Sequence, residues 1–489
     1  MSKPKGGFID QEGGKEPQHL KHTEGSTSTP KTMTNVAMVR QTLASLGFSL
    51  GGFAMGTAVG WSATALKDLS SPSSPIPARD GEVALIGALI CLGAVMQGPM
   101  TGYLMVRFGR RIAMLLNCLP LIGGWAIIIL AYNVWMLFVG RFVTGYAMGS
   151  FAMIAPVYIG EIASPEIRGA LGTCFHALFV FGIFVMFILG AIMSWMSLAI
   201  FSLCAGLVLT FVLYLLQDSP TSYMMQNRPD LAQEAMKWFL NSDEIEEEIR
   251  AVKTSVEEIK SNSLGSQFRQ LNICSSGDPT IRKPLLLSVF LLSSQQWSGI
   301  NAVITFTVTI FQSAGATVNP NTATIIIGGV QFVATVLSYF TVNRIGRRVT
   351  LMVTLTIMAV SLICFGIFFY LHQHHPSASV NLGWLPLLSM AMFIISFSFG
   401  PGPLAWLLLG ELLSPKIMGM AGPMAAMTNW SVGFIVTLCF PFVVKLLGDY
   451  GAYWMFSAFC LVTLVVVMRY LPETRNKTLQ EIQISFTKS

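Results

Sequence analysis

Twelve separate runs of about twenty apolar residues divide this chain, and that pattern leaves few ways to fold. A helix of about twenty residues crosses the hydrocarbon layer of a bilayer while meeting all its backbone hydrogen bonds internally. The runs lie near 38–66, 82–103, 112–131, 134–157, 169–190 and 193–216, then near 284–311, 321–342, 349–371, 384–410, 418–446 and 450–471. Only 11% of residues are charged and 53% are hydrophobic, with a mean hydropathy of +0.62, whereas soluble domains carry about 25% charged residues. The expected fold class is an all-α integral membrane protein with twelve transmembrane helices in two six-helix halves.

The polar segments set the organisation. Residues 1–35 are rich in Gly, Lys, Ser and Thr without an apolar core, which predicts a disordered tail and not a signal peptide. Residues 36–216 form the first half, 217–283 a cytoplasmic loop with short helices, 284–471 the second half and 472–489 a short tail. Arg107, Arg110 and Arg111, Arg168, Arg344, Arg347 and Arg348, and Lys416 all fall in loops on the side of both tails, while the opposite loops hold little beyond Lys67, Arg79 and Lys445. The positive-inside rule therefore predicts cytoplasmic termini. A net charge of +6 spread over loops gives no basic face for nucleic acid.

The halves echo one another. Arg107-Phe108-Gly109-Arg110-Arg111 returns as Arg344-Ile345-Gly346-Arg347-Arg348, and Glu161, Pro165 and Gly169 return at the same spacing as Glu411, Pro415 and Gly419. Asp218-Ser219-Pro220 has a looser echo in Pro472-Glu473-Thr474. Echoes in the same order, each after the matching helix, indicate a parallel duplication, the design of the major facilitator fold. Glu161 and Glu411 are carboxylates at helix ends beside an arginine-rich rim. Arg–carboxylate pairs there would hold helices together on one side and break when that side opens.

Gln295-Gln296-Trp297-Ser298-Gly299-Ile300-Asn301 stands out inside an apolar run. Unpaired amides are costly in hydrocarbon, and they are kept where they face a wet cavity, a ligand or a polar seam between helices. On an unbroken helix Gln295 and Asn301 would point about 120° apart, so an opening at Ser298-Gly299 is expected to bring them to one cavity.

Other motifs carry less. Of eight cysteines only Cys274 lies outside an apolar segment, and no ligand spacing supports zinc or a disulfide scaffold. His372, His374 and His375 read as a solvated external loop, and Asp230 to Lys260 as solvated helices. No catalytic pair or nucleotide loop stands out, so neither an enzyme nor a cofactor is indicated.

Gly140-Arg141-Phe142 with Gly145, Pro156 to Glu161, Arg168 to Thr173, Gln295 to Asn301, Gly400-Pro401-Gly402-Pro403, Trp406 and Pro472-Glu473-Thr474 together resemble the sugar porter family, which includes facilitative glucose transporters. Gly56 to Ser62 is most similar to insect trehalose and glucose facilitators and their intracellular-type vertebrate relatives. The resemblance implies a sugar carrier of the plasma membrane, complete as a monomer, with a small-molecule sugar and the lipid bilayer as its partners. It implies that Gln295, Gln296, Asn301 and Asn429 bond sugar hydroxyls and that Trp406 covers a sugar face, roles that carboxamides and an aromatic wall suit. It also implies a cytoplasmic gate of Arg107, Glu161, Arg168, Arg344, Arg347 and Glu411.

Several positions depart from the family pattern. His176 stands for a glutamine, Gln331 for an asparagine, and Thr305 and Phe306 for a tyrosine pair. Val106 and Asn343 replace acids before the arginine turns, Met418 replaces a basic residue, and Gln217 to Thr221 replaces a Pro-Glu-Ser-Pro-Arg segment. From Val36 to Leu66 there is no acidic residue to couple transport to protons, leaving His176 as the one candidate. A facilitator for hexose or trehalose is the reading, with a proton-coupled symporter and a non-transporting sugar sensor as alternatives. The amide set is shared by mono- and disaccharide carriers and leaves the sugar open.

Overall fold

The computed structural model describes residues 34–261, 279–315, 318–342, 344–413, 415–475, 477, 481–482 and 485–486. Residues 1–33 of the expected tail, Cys274 and Asn343 lie outside them. The described secondary structure is helical. In chain order the helices are α1 Asn35–Leu69, α2 Asp80–Met96, α3 Gly98–Phe108, α4 Arg110–Ile129, α5 Val134–Ile162, α6 Pro165–Gly190 and α7 Trp195–Leu215. The short α8 Pro220–Met225, α9 Pro229–Leu240 and α10 Glu246–Ser261 come next, the last two where solvated helices are expected. The second half holds α11 Pro279–Trp297, α12 Ile300–Ser313, α13 Pro320–Val342, α14 Arg347–His374, α15 Pro376–Ser379, α16 Leu385–Phe399, α17 Pro401–Leu412 and α18 Pro415–Tyr470.

Among the described residues twelve spans result once broken helices are joined and one long helix is divided. α2 and α3 bend by 45° at Gln97 to make one span, and α16 with α17 makes another across Gly400. α11 and α12 form a third broken span. α18 is two spans, because Gly448 reverses the chain at φ +73°. Each break has a local cause. Pro99 and Pro401 sit in the first turn of the helices they begin, where the missing N–H costs least. Gly299 has φ +85°, a left-handed conformation that only glycine adopts without strain, and it parts α11 from α12. The opening therefore falls at Ser298–Gly299.

Packing places the site. Within the first half α1 lies along α6, and α2 and α4 flank α5. Trp61, Trp125 and Trp195 meet edge to face in its interior. Between the halves, α1 meets α12, α2 meets α18 and α6 meets α13. Arg141 of α5 is fully buried (0% exposed). Its guanidinium donates to Ala58 O at 2.8 Å, Ser62 Oγ at 2.6 Å and Ile86 O at 3.2 Å, and it lies over the Trp61 ring. It thus ties α1, α2 and α5 through neutral acceptors and a π-face.

Candidate functional site

Three amides close a network at the break in the second half. Asn429 of α18 donates from Nδ2 to Leu292 O at 2.7 Å and to Gln295 Oε1 at 2.8 Å, while Gln296 Nε2 donates to Asn429 Oδ1 at 3.1 Å. Gln295 Nε2 donates in turn to Pro401 O at 3.2 Å and Gly402 O at 3.0 Å. Pro401 and Gly402 form the first turn of α17, so these bonds tie one broken helix to the other. Gln296 Oε1 is buried with no partner. Asn301, half-buried in the first turn of α12, makes a long contact of 3.9 Å from Nδ2 to Cys91 Sγ of α2. A Cβ at Gly433 would stand 3.0 Å from Asn301 Nδ2 and 3.4 Å from Gln296 Oε1, so Gln296 and Asn301 converge beside that residue.

The remaining sugar-site candidates make no hydrogen bond to this network among the described residues. Trp406 is 41% exposed on α17. His176 is half-buried on α6, with its ring 5.8 Å from Phe179. Gln331 is buried on α13 with an unpartnered Oε1. Thr305 and Phe306 pack where the halves meet away from the chain ends: a Cβ at Gly87 would lie 3.0 Å from Thr305, and Phe306 stacks on Phe440.

At the opposite end, each half carries a rim cluster of the same design. In the first half Arg110 Nη2 pairs with Glu161 Oε1 at 2.6 Å, and Ser219 Oγ donates to Glu161 Oε2. Asp218 receives the Ser219 N–H at 2.8 Å and the backbone N–H of Arg111. Burial raises the Asp218 carboxyl above its ordinary range, against the pull of those N–H groups. In the second half Arg347 Nη2 pairs with Glu411 Oε1 at 3.2 Å, and Thr474 Oγ1 donates to Glu411 Oε2 at 2.6 Å. Glu473 receives the backbone N–H groups of Arg347 at 2.9 Å and Arg348 at 3.2 Å. Asp218 and Glu473 thus cap the N-termini of α4 and α14, where a carboxylate meets free N–H groups and the positive end of the helix dipole.

The rim differs from the expected gate in its arginines. Arg110, not Arg107, holds Glu161, because Gly109 at φ +90° turns the chain so that α4 begins with Arg110 buried against α5. Arg107 is exposed beside the Phe108 ring, Arg344 is exposed, and Arg168 donates to Ala163 O at 3.0 and 3.1 Å. Both ion pairs lie within a half, joining α4 to α5 and α14 to α17. The basic turns repeat in the sequence, but which arginine faces the carboxylate depends on helix rotation that repetition does not reveal. Arg111 and Arg348 serve a third purpose, donating to Leu213 O at 3.0 Å and Met468 O at 2.5 Å near the ends of α7 and α18. Among the described residues no cluster of three metal-ligating side chains occurs.

Comparison with known proteins places this architecture. Residues 31–486 match the family model described as sugar (and other) transporter. The facilitated trehalose transporter Tret1 of Culex quinquefasciatus is 35% identical over 447 residues, covering 91% of this chain and 85% of that protein. The transporter of the same name from Polypedilum vanderplanki is 33% identical over 462 residues, covering 92% and 89%. That of Anopheles gambiae is 35% identical over 451 residues, and there the chain spans 55% of the longer relative. Among solved structures, the xylose transporter XylE of E. coli in a partially occluded inward open conformation gives a TM-score of 0.73 at 21% identity, over 90% of this chain and 100% of that one. The proton:xylose symporter XylE with bound 6-bromo-6-deoxy-D-glucose gives 0.74 at 21% identity, over 92% and 100%. At that identity the likeness establishes the fold, a major facilitator bundle. The chain belongs to the family of sugar and other transporters.

Proposed function

We propose that this chain is a facilitative transporter of a hexose or trehalose, working by alternating access between its two six-helix halves. The observation that carries the reading is the Gln295–Gln296–Asn429 network, set between two broken helices, with Gln296 Oε1 left open. Amides held by one another are rigid, and the donors and acceptors left over match a hydroxylated ligand. In this reading Gln295, Gln296, Asn301, Asn429 and Gln331 bond the sugar, His176 borders it from the first half, and Trp406 covers its apolar face.

The rim pairs act in this reading as braces that keep each half rigid while the halves rock, with Arg107, Arg168 and Arg344 as charges on the opening edge. The halves are 36–216 and 284–471, joined by 217–283. Both termini are cytoplasmic, the carrier functions as a monomer, and the plasma membrane is its site. No acidic residue lies between Val36 and Leu66, which favours uniport over proton symport. Uptake of labelled glucose and labelled trehalose into proteoliposomes, with and without a proton gradient, tests the proposal. Saturable uptake that ends at equal concentrations and ignores the gradient is expected. Accumulation driven by the gradient would replace uniport with symport, and binding without uptake would replace transport with sensing.

A further inference from the structure

Helical hydroxyls in this chain commonly donate back to a carbonyl of their own helix, as Thr428 does to Met424, Thr307 to Val303 and Thr463 to Phe459. Thr437 does not. It is 1% exposed on α18, and its Oγ1 is buried with no partner. A buried polar atom in that state costs free energy and calls for a reason. Thr437 lies two turns beyond Asn429 and one beyond Gly433. At about 100° per residue, Asn429, Gly433 and Thr437 sit near 0°, 40° and 80° around α18. Met427 and Phe442, the α18 side chains nearest to Gly98 of α3 and Gly81 of α2, sit near 160° and 220°. Thr437 is therefore on the arc between the edge that meets the amides and the edge that meets the first half.

Gly433 matters as the missing side chain at the same place. A Cβ there would crowd Asn301 Nδ2 and the unpartnered Gln296 Oε1. The two positions together leave an open acceptor and, one turn further out, an open hydroxyl. From Asn429 to Thr437 the polar line runs about 12 Å along the helix axis, longer than one pyranose ring. We infer that Gly433 and Thr437 form an outer subsite that takes the second ring of a disaccharide, with the Thr437 hydroxyl bonding a hydroxyl of that ring. The inference rests on the sugar-carrier reading above. In this structure α2 and α12 touch at Gly87 and Thr305, and in this inference the ring enters when the halves part.

The test is equilibrium binding and uptake of trehalose and glucose by the full-length chain in proteoliposomes, comparing wild type with Thr437→Val, Thr437→Ser and Gly433→Ala. Thr437→Val keeps the shape and removes the hydroxyl. It is expected to weaken trehalose binding about five- to ten-fold and to change glucose binding less than about two-fold, as for the loss of one hydrogen bond. Thr437→Ser restores trehalose binding, and Gly433→Ala lowers the trehalose-to-glucose affinity ratio independently. Equal effects of Thr437→Val on both sugars, or none, overturn the inference. A wild-type protein that carries glucose and ignores trehalose overturns it while leaving the carrier reading intact. A wild type that binds neither sugar removes the carrier reading itself.

Discussion

The two rims share a skeleton and differ in cover. In the first, Arg110 and Glu161 approach to 2.6 Å with side chains 7% and 14% exposed. In the second, Arg347 and Glu411 stand at 3.2 Å, 13% and 23% exposed. The cause lies in the segment after the last helix of each half. After α7 the chain turns into α8, and Ser222 and Met225 of that short helix cover Arg110, accepting from its backbone N–H at 3.1 Å and its guanidinium at 3.2 Å. After α18 the residues from Leu471 to Thr474 are non-helical, and Glu473 and Thr474 reach the rim from that stretch. A duplicated ion pair is thus tuned by a segment outside the duplication. A drier pair is the more costly to break, since a lone charge left in a low-dielectric site has little to replace its partner.

That comparison can be broken by experiment. Glu161→Gln, which leaves Arg110 buried and unpaired, should cost the most, about 3 kcal/mol of unfolding free energy in detergent micelles. Glu411→Gln should cost less, about 1–2 kcal/mol, since water reaches Arg347 more easily. Equal losses would mean that α8 does not set the difference. Ser219→Ala and Thr474→Ala each remove one bond to a carboxylate and should lower stability by about 1 kcal/mol, measured the same way. Arg107→Ala and Arg344→Ala should change it by less than about 0.5 kcal/mol, as for exposed surface charges. Any effect of those two on exchange between states, read from single-turnover uptake, would then belong to the opening edge alone. Away from the rim, Gln295→Ala should weaken sugar binding by about 1–3 kcal/mol with the rim unaffected.

Much of this was legible in the residues. Hydropathy reports bilayer crossing directly, so the spans at 38–66 and 349–371 appear as Asn35–Leu69 and Arg347–His374, extended by turns that leave the hydrocarbon. The opening at Gly299 was legible because glycine between amides offers the one backbone that turns freely. The bend at Gln97 was not, for Gln97-Gly98-Pro99 sits in an otherwise continuous apolar run. Nor were the caps: Asp218 and Glu473 were visible as an echo, but a carboxylate that receives backbone N–H groups of a distant helix leaves no periodic trace. The amide network lies between, since Gln295 and Gln296 announce themselves as polar text in an apolar run. Asn429, 133 residues beyond Gln296, was reached only through family resemblance.

Arg141 has an electrical consequence. Its guanidinium is held by Ala58 O, Ser62 Oγ and Ile86 O, none of which carries a countercharge. It is fixed to the first half and sits among helices that cross the membrane. A rocking motion that shifts that half along the membrane normal would carry a positive charge through part of the transmembrane voltage, worth about 2.3 kcal/mol per charge for a full 100 mV drop. Even a carrier of neutral sugars would then respond to voltage, with one direction of the empty return step favoured by a negative interior. Uptake rates in liposomes clamped at opposite diffusion potentials should differ, and Arg141→Gln should erase the difference.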